Sequence, residues 1–438
     1  MILYKHNLKI LGDLEMSLND IFMYHINEYK KLWYLQDSSC YTKLKTYSYE
    51  EKIKNEQEIN KIIDTVLDKL KLWPNKSIYS LDLEKDRKAW AVDFNNFVSE
   101  SISNISLDEG FAIKHFISKG IMDITKSFIS DSLKNEDLNF NDIGQAIRNA
   151  WIMNILQFML DIKVEYTPSI FGYSMLYPYT DNLIDSDITF EEKENFNKKF
   201  SKRLQDHDVS SSNKLEAEIY HMVELIESQF DREIFPEVYE SLLLIHTSQI
   251  NSLKQQITSC PFEKDIVDIS FKKGGSSVLA DGFLVKGKLT ENEVRFTLGF
   301  GIILQLCDDI QDVQSDIDSK SATIFSLSAN GHKLDVLVNK LFRLIEDVLT
   351  TDIKTIRFEH DEKIVPFMLQ CCNFIVLDGI MTHKKYFTKQ YIKNIEKYLP
   401  VTPKYLNNIK SKTPKKFNNI MKKYDENELK TMITYINV

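Results

Sequence analysis

The residues of this chain best suited to chemistry are three aspartates, Asp308, Asp309 and Asp312, inside the run GFGIILQLCDDIQDV (299–313). Asp308 and Asp312 stand four apart, which puts them on one face of a helix with Asp309 beside them. The run is otherwise largely apolar, and unpaired charge is costly there. A magnesium ion resolves the conflict, because hard divalent cations take carboxylate oxygens and complete their shell with water and phosphate. A solvated acidic edge on an amphipathic helix is the competing reading. Asp181 and Asp185, in Asp-Asn-Leu-Ile-Asp, repeat the four-residue spacing. Alone that pair is commonplace. With the first it gives two helices that each present acids at the end of an aromatic or apolar run.

Between the two clusters lies Lys272-Lys273-Gly-Gly-Ser-Ser277. Adjacent glycines are expected to interrupt the helix and bare backbone N–H groups, with the hydroxyls of Ser276 and Ser277 beside two lysines. That is an anion cradle, without the spacing or preceding strand of a P-loop. A plain loop with helix-start chemistry is the alternative. No nucleophile constellation is present: the nine histidines form no HExxH, and there is no GxSxG. His383, with Lys384, Lys385 and Tyr386, reads as a solvated helix end rather than a lid.

The elements that must position these groups are helices. Apolar residues recur at three- and four-residue spacing in 17–35 and 50–73, and helices are also expected over about 80–103, 107–133 and 142–162. Asp142 reads as a cap, and Thr189 with Glu192 as a capping box. Pro168 opens a helix reaching Asp185, which Pro178 must kink or shift. Further helices are expected at 212–230, 234–258, 276–286, 290–314, 332–350, 361–384 and 388–398. Glycine (13) and proline (9) are scarce, which fits long helices with short connections. No repeat of 20–50 residues is evident. We place an N-terminal helical extension at 1–105, a core at 106–400 and a Lys-rich tail at 401–438. That tail reads as solvated, with weak contact to an anionic membrane surface as the sharper alternative.

Bulk properties narrow the function. The chain has 438 residues, 43% hydrophobic and 27% charged, an ordinary globular balance. Its net charge of −9 argues against a nucleic-acid partner. No run of about 18 apolar residues suggests a membrane span, and the N-terminus lacks a signal-peptide pattern, so a cytoplasmic location is expected. The five cysteines form no CxxC pair and are expected to be reduced, buried thiols.

Two motifs carry a family resemblance. The run from Lys273 to Asp312 resembles the trans-prenyl diphosphate synthases. There a lysine and small-residue helix break precedes a Gly-rich helix ending in Gln-x-x-Asp-Asp-x-x-Asp, here Gln305, Asp308, Asp309 and Asp312. Tyr179-Thr-Asp-Asn-Leu-Ile-Asp-Ser186 resembles the first aspartate motif of the bacterial large terpene synthases of the tetraprenyl-β-curcumene synthase type, and QAIRNAWIMNILQ (145–157) is similar in flavour. The resemblance covers roughly 140–315.

It implies an all-α class I isoprenoid synthase bundle around a central cavity, with extra N-terminal helices. It also implies three magnesium ions held by Asp181, Asp185, Asp308, Asp309 and Asp312 across the cavity mouth, where a prenyl diphosphate is ionised. Lys272, Lys273, Ser276, Gln305 and Arg148 would contact the substrate. Tyr173, Tyr177 and Phe300 would face the allylic cation, with Gly301 leaving space beside Phe300. The first motif lacks the arginine pair of chain-elongating enzymes, and Lys198, Lys199, Lys202 and Arg203 come only on the next helix. That favours a terpene synthase acting on one allylic diphosphate to give a hydrocarbon or alcohol. A prenyl diphosphate synthase and a non-catalytic prenyl-lipid-binding protein are the alternatives.

Overall fold

A computed structural model describes residues 16–75, 82–103, 107–134, 139–185, 189–256, 265–356 and 361–436. Among them the structure is all-helical, with no strand. In chain order the helices are α1 (Leu18–Leu35), α2 (Tyr49–Lys71), α3 (Leu83–Ser103), α4 (Leu107–Ser118), α5 (Ile121–Ser132), α6 (Phe140–Met159) and α7 (Pro168–Asp185). There follow α8 (Phe190–Leu204), α9 (Lys214–Gln229), α10 (Pro236–Ser252), α11 (Ile266–Lys286), α12 (Glu291–Gln311), α13 (Val313–Asp318) and α14 (Ile324–Ala329). The last five are α15 (Asp335–Asp347), α16 (Asp361–Thr382), α17 (Lys389–Ile395), α18 (Pro403–Met421) and α19 (Glu426–Tyr435).

Local chemistry sets many of these starts. Thr189–Glu192 forms its capping box, as do Ser48–Glu51 and Thr290–Glu293. At α6 the cap is Asn139, and Asp142 is its reciprocal partner three residues on rather than the cap itself. The single helix expected over 107–133 is two, because Gly120 adopts a left-handed conformation (φ 88°) between α4 and α5. Pro178 lies inside α7 without ending it.

The largest difference from expectation is at Lys272–Ser277. The two glycines do not break the helix; α11 runs unbroken through them. They are buried where α11 crosses α12. A Cβ on Gly274 would stand 2.6 Å from the Gly301 carbonyl oxygen, and one on Gly301 2.1 Å from that of Gly274. The helices therefore touch backbone to backbone, and the space expected beside Phe300 is filled by α11. This pair is the centre of the fold: α10 and α6 pack on α11, α16 packs on α12, and α1 reaches both. Fully buried side chains such as Phe271, Leu279, Phe296 and Ile303 surround the crossing, each contributing about 1.5–3 kcal/mol of burial energy.

Residues 403–436 form α18 and α19, and Lys404, Lys410, Lys412, Lys415, Lys416, Lys422 and Lys423 are exposed. Ile420, Tyr424 and Met432 close a second cluster with Leu67, Trp73, Trp90 and Phe94. The buried Glu428 carboxylate accepts from Arg87 (2.7 Å) and from the Trp73 indole N–H (3.2 Å), tying this end of the chain to α3. Among the described residues one helix, 362–382, is long and apolar enough to cross a membrane; half of that stretch is buried within the protein.

Gly301→Ala and Gly274→Ala are each expected to destabilise the protein by about 1–3 kcal/mol through overpacking. Gly144→Ala, in a helix with nothing within 4 Å of the new Cβ, should instead stabilise by about 0.5–1 kcal/mol. Urea denaturation of the three variants checks both signs.

Candidate active site

The crossing sets α11 beside the C-terminal end of α12, where the acids stand. Asp309 is buried; its Oδ1 accepts from the Gln305 amide at 2.8 Å, while Oδ2 has no partner among the described residues. Asp308 and Asp312 are exposed. Asp312 ends α12, and the helical path carries on: its N–H donates to the Asp308 carbonyl (3.0 Å), and the Asp316 N–H to the Asp312 carbonyl (2.8 Å). Asp308, Asp312 and Asp316 thus recur every four residues along one helical path. Asp316 was missed by the sequence reading, which stopped at the Asp-Asp-x-x-Asp motif; the same spacing one step further on was the signal available. Its Oδ2 accepts from Thr323 Oγ1 at 3.1 Å, and Thr323 caps α14.

Desolvation raises the pKa of Asp308, Asp309 and Asp316, and neighbouring carboxylates add to it. Burial pushes Asp309 up to about 7, against the opposing pull of the Gln305 amide and Lys273. Burial lifts Asp316 to about 6, and the charges of Asp312 and Asp308 add to it. Asp308, although its side chain reaches solvent, is raised by partial desolvation and by Asp312, with Lys273 and Arg148 opposing. Lys273 is therefore close enough to favour the ionised forms of Asp308, Asp309 and Asp316, and Arg148 that of Asp308. A cation placed among these carboxylates would relieve the same repulsion.

The donors suit a hard divalent ion: several carboxylates, one with an orphaned buried oxygen, beside lysine and arginine for phosphate. Among the described residues, no three acid, histidine or cysteine groups converge closely enough to hold an ion already. Asp181 and Asp185 fall in the last turn of α7; their side chains lie outside the described residues, as does Ser186.

The anion-cradle reading of Lys272–Ser277 is corrected in three of its parts. Lys272 pairs with Asp268 at 2.7 Å, away from the acids. Ser276 is fully buried, and its hydroxyl donates back to the Lys272 carbonyl at 2.6 Å, so neither it nor the helical N–H groups are offered to a ligand. Only Lys273 keeps the expected place. Ser277, one turn on, shares a 2.7 Å hydrogen bond with the Tyr177 hydroxyl and so links α11 to α7. Tyr173 is buried edge-to-face on Tyr177 (5.6 Å, 78°). Phe300 is buried and stacked on Phe296 (5.8 Å, 12°). The His383 segment is not solvated at its histidine: the ring is buried, with Nε2 2.6 Å from the Gln311 carbonyl oxygen. Tyr386 donates to Gln314 (2.7 Å), so this segment buttresses the acid-bearing turn from behind.

One turn beyond Ser277, Asp281 is buried with only the Asn149 amide near Oδ1 (3.4 Å) and no partner at Oδ2. A surface recess of about 620 Å³ lies elsewhere, between α8 and α9; its arginines are already spent, Arg203 and Arg232 each meeting Glu227 at 2.6 Å. Comparison with protein-family models, curated proteins and solved structures finds no match.

Burial holds the Asp281 carboxyl far above the ordinary carboxylate range. The folded protein keeps it protonated while the unfolded chain ionises above about pH 3.9, so its contribution falls as pH rises past that value. Asp281→Asn, neutral at every pH, should therefore gain stability relative to the parent at pH 7.5 and lose that advantage near pH 4. Thermal denaturation at the two pH values checks it; an equal difference at both would count against the buried neutral acid.

Proposed function

We propose that this chain is a class I isoprenoid synthase that ionises one linear allylic prenyl diphosphate and releases diphosphate, giving a terpene hydrocarbon or alcohol. The observation that carries the reading is the aspartate series at 308, 312 and 316, facing Lys273 and Arg148 at one end of an all-helical bundle. Magnesium, when bound, neutralises the charge that builds on the leaving diphosphate and so lowers the barrier to C–O cleavage. Asp308, Asp312 and Asp316 would hold it, with Asp181 and Asp185 of α7 as partners. Lys273 and Arg148 contact phosphate oxygens directly. Gln305 fixes the Asp309 carboxylate by its amide.

The organic half of the substrate runs along the inner face of α7, where Tyr177 and Tyr173 follow one another by a turn. Aromatic faces stabilise a cation by roughly 0.5–2 kcal/mol each without attacking it. Cyclisation of a single substrate is favoured over chain elongation by the basic residues of α8. Lys198 is paired with Glu194, Lys199 with Glu216, and Arg203 with Glu227 through two bonds of 2.6 Å. Three of the four cations available for a second diphosphate are thus engaged.

The test is diphosphate release by purified protein given linear prenyl diphosphates of increasing length, with magnesium and then with chelator, and extraction of any hydrocarbon or alcohol. Release from one substrate alone, abolished by chelator and lowered at least about 100-fold in Asp308→Asn/Asp312→Asn, is the expected result. Release only when isopentenyl diphosphate is added would indicate elongation. Absence of release in both conditions would leave a prenyl-lipid-binding protein.

A further inference from the structure

A small cavity lies beyond the tyrosines. It is narrow, set between α7, α8 and α10, and lined by Tyr173, Tyr177, Phe200, Leu242, Ile245 and His246, among others. Its walls are apolar and aromatic, and His246 alone among the lining residues carries a basic nitrogen. One hydrogen bond ties the cavity wall to the helix that carries Lys273. Tyr177 lines it and meets Ser277, which stands one helical turn from Lys273 on the same face of α11. A chain whose diphosphate is held at Lys273 would lay its hydrocarbon past Tyr177 toward this space. The volume is about 30 Å³, that of a water, so a prenyl tail is admitted only as the lining side chains part.

The geometry fixes which nitrogen of His246 is the base. Nε2 lies 3.2 Å from the backbone carbonyl oxygen of Asn197. A carbonyl can only accept, so Nε2 carries the proton and Nδ1 keeps its lone pair. The ring is 94% buried and held edge-on to Phe200 at 5.0 Å and 90°. Burial also lowers its pKa, which keeps the imidazole neutral and ready to accept. The only other ionisable groups in the wall are phenols, and burial keeps the Tyr173 hydroxyl protonated.

We propose that His246 is the proton acceptor that ends the reaction. A C–H bond on the carbon next to the cationic centre breaks, its electron pair becomes the C=C π bond of the product, and the proton passes to Nδ1. The imidazolium then returns that proton to the released diphosphate or to solvent. This inference rests on the isoprenoid synthase reading above and adds to it the residue that chooses hydrocarbon over alcohol. A purely structural histidine would serve only to staple α8 to α10 through Asn197.

The test is His246→Gln, whose amide can still donate to the Asn197 carbonyl but cannot take a proton. Diphosphate release and product composition are measured in the same reactions. Release within about twofold of the parent, with hydrocarbon formation reduced by roughly 100-fold and alcohol replacing it, is the expected outcome. An unchanged ratio of hydrocarbon to alcohol with release intact would overturn the role of His246 and leave the synthase reading standing. Absence of release from the parent protein would overturn both. Should the variant fail to fold, the parent labelled with 15N-histidine is titrated with an N,N-dimethyl prenylamine, a stable ammonium mimic of the cation, together with magnesium and inorganic diphosphate. A shift of the His246 Nδ1 resonance is expected; an unmoved resonance with the amine bound would overturn the proposal.

Discussion

The backbone contact between α11 and α12 is the constraint on which the rest of the structure depends. Because Gly274 and Gly301 have no side chains, the two helices meet at a separation no Cβ would allow. That separation sets the register of everything beyond it. It places Lys273, the residue just before the crossing glycines, where its charge acts on Asp308, Asp309 and Asp316. It also turns Ser277 toward Tyr177, so that α7 is fixed to the same pair. Larger residues would push α12 outward and carry its acids away from Lys273.

At that end the protein holds like charges together at a cost. Asp309 and Asp316 are both lifted well into or near the neutral range, chiefly by burial. Stability alone would favour removing such groups. They are instead held in place from behind: His383 meets the Gln311 carbonyl, Tyr386 meets Gln314, and Lys410 of α18 reaches Asp378, next to Gln311. The last of these comes from the segment whose far end closes a second hydrophobic cluster with the N-terminal helices. Helix α18 thus links the packing of α2 and α3 to the residues behind the acid-bearing turn.

Much of this was legible in the sequence. The helical class, most helix positions and the four-residue spacing of the acids follow from periodicity and from helix geometry. What was illegible has a common physical cause, which is that tertiary packing overrides local propensity. Gly274-Gly275 reads as a helix break in isolation; only the facing Gly301, 26 residues on, makes it a crossing point. Ser276 reads as a ligand group until the back-bond to Lys272 is seen. The lysine-rich end keeps its lysines in solvent as the sequence suggests, while the docking of its few apolar residues, Ile420, Tyr424 and Met432, was not legible. His246 gave no signal at all, since its meaning comes from Asn197 and from a cavity built by three helices.

The central claim is that the Asp308, Asp312 and Asp316 series, with Lys273, forms a site for a divalent cation and a diphosphate. Calorimetric titration of manganese into the protein in the presence of inorganic diphosphate tests it without requiring turnover. Saturable binding that is lost in Asp308→Asn/Asp312→Asn/Asp316→Asn, and weakened in Lys273→Gln only when diphosphate is present, is the expected result. Binding undiminished in the triple variant would contradict the claim.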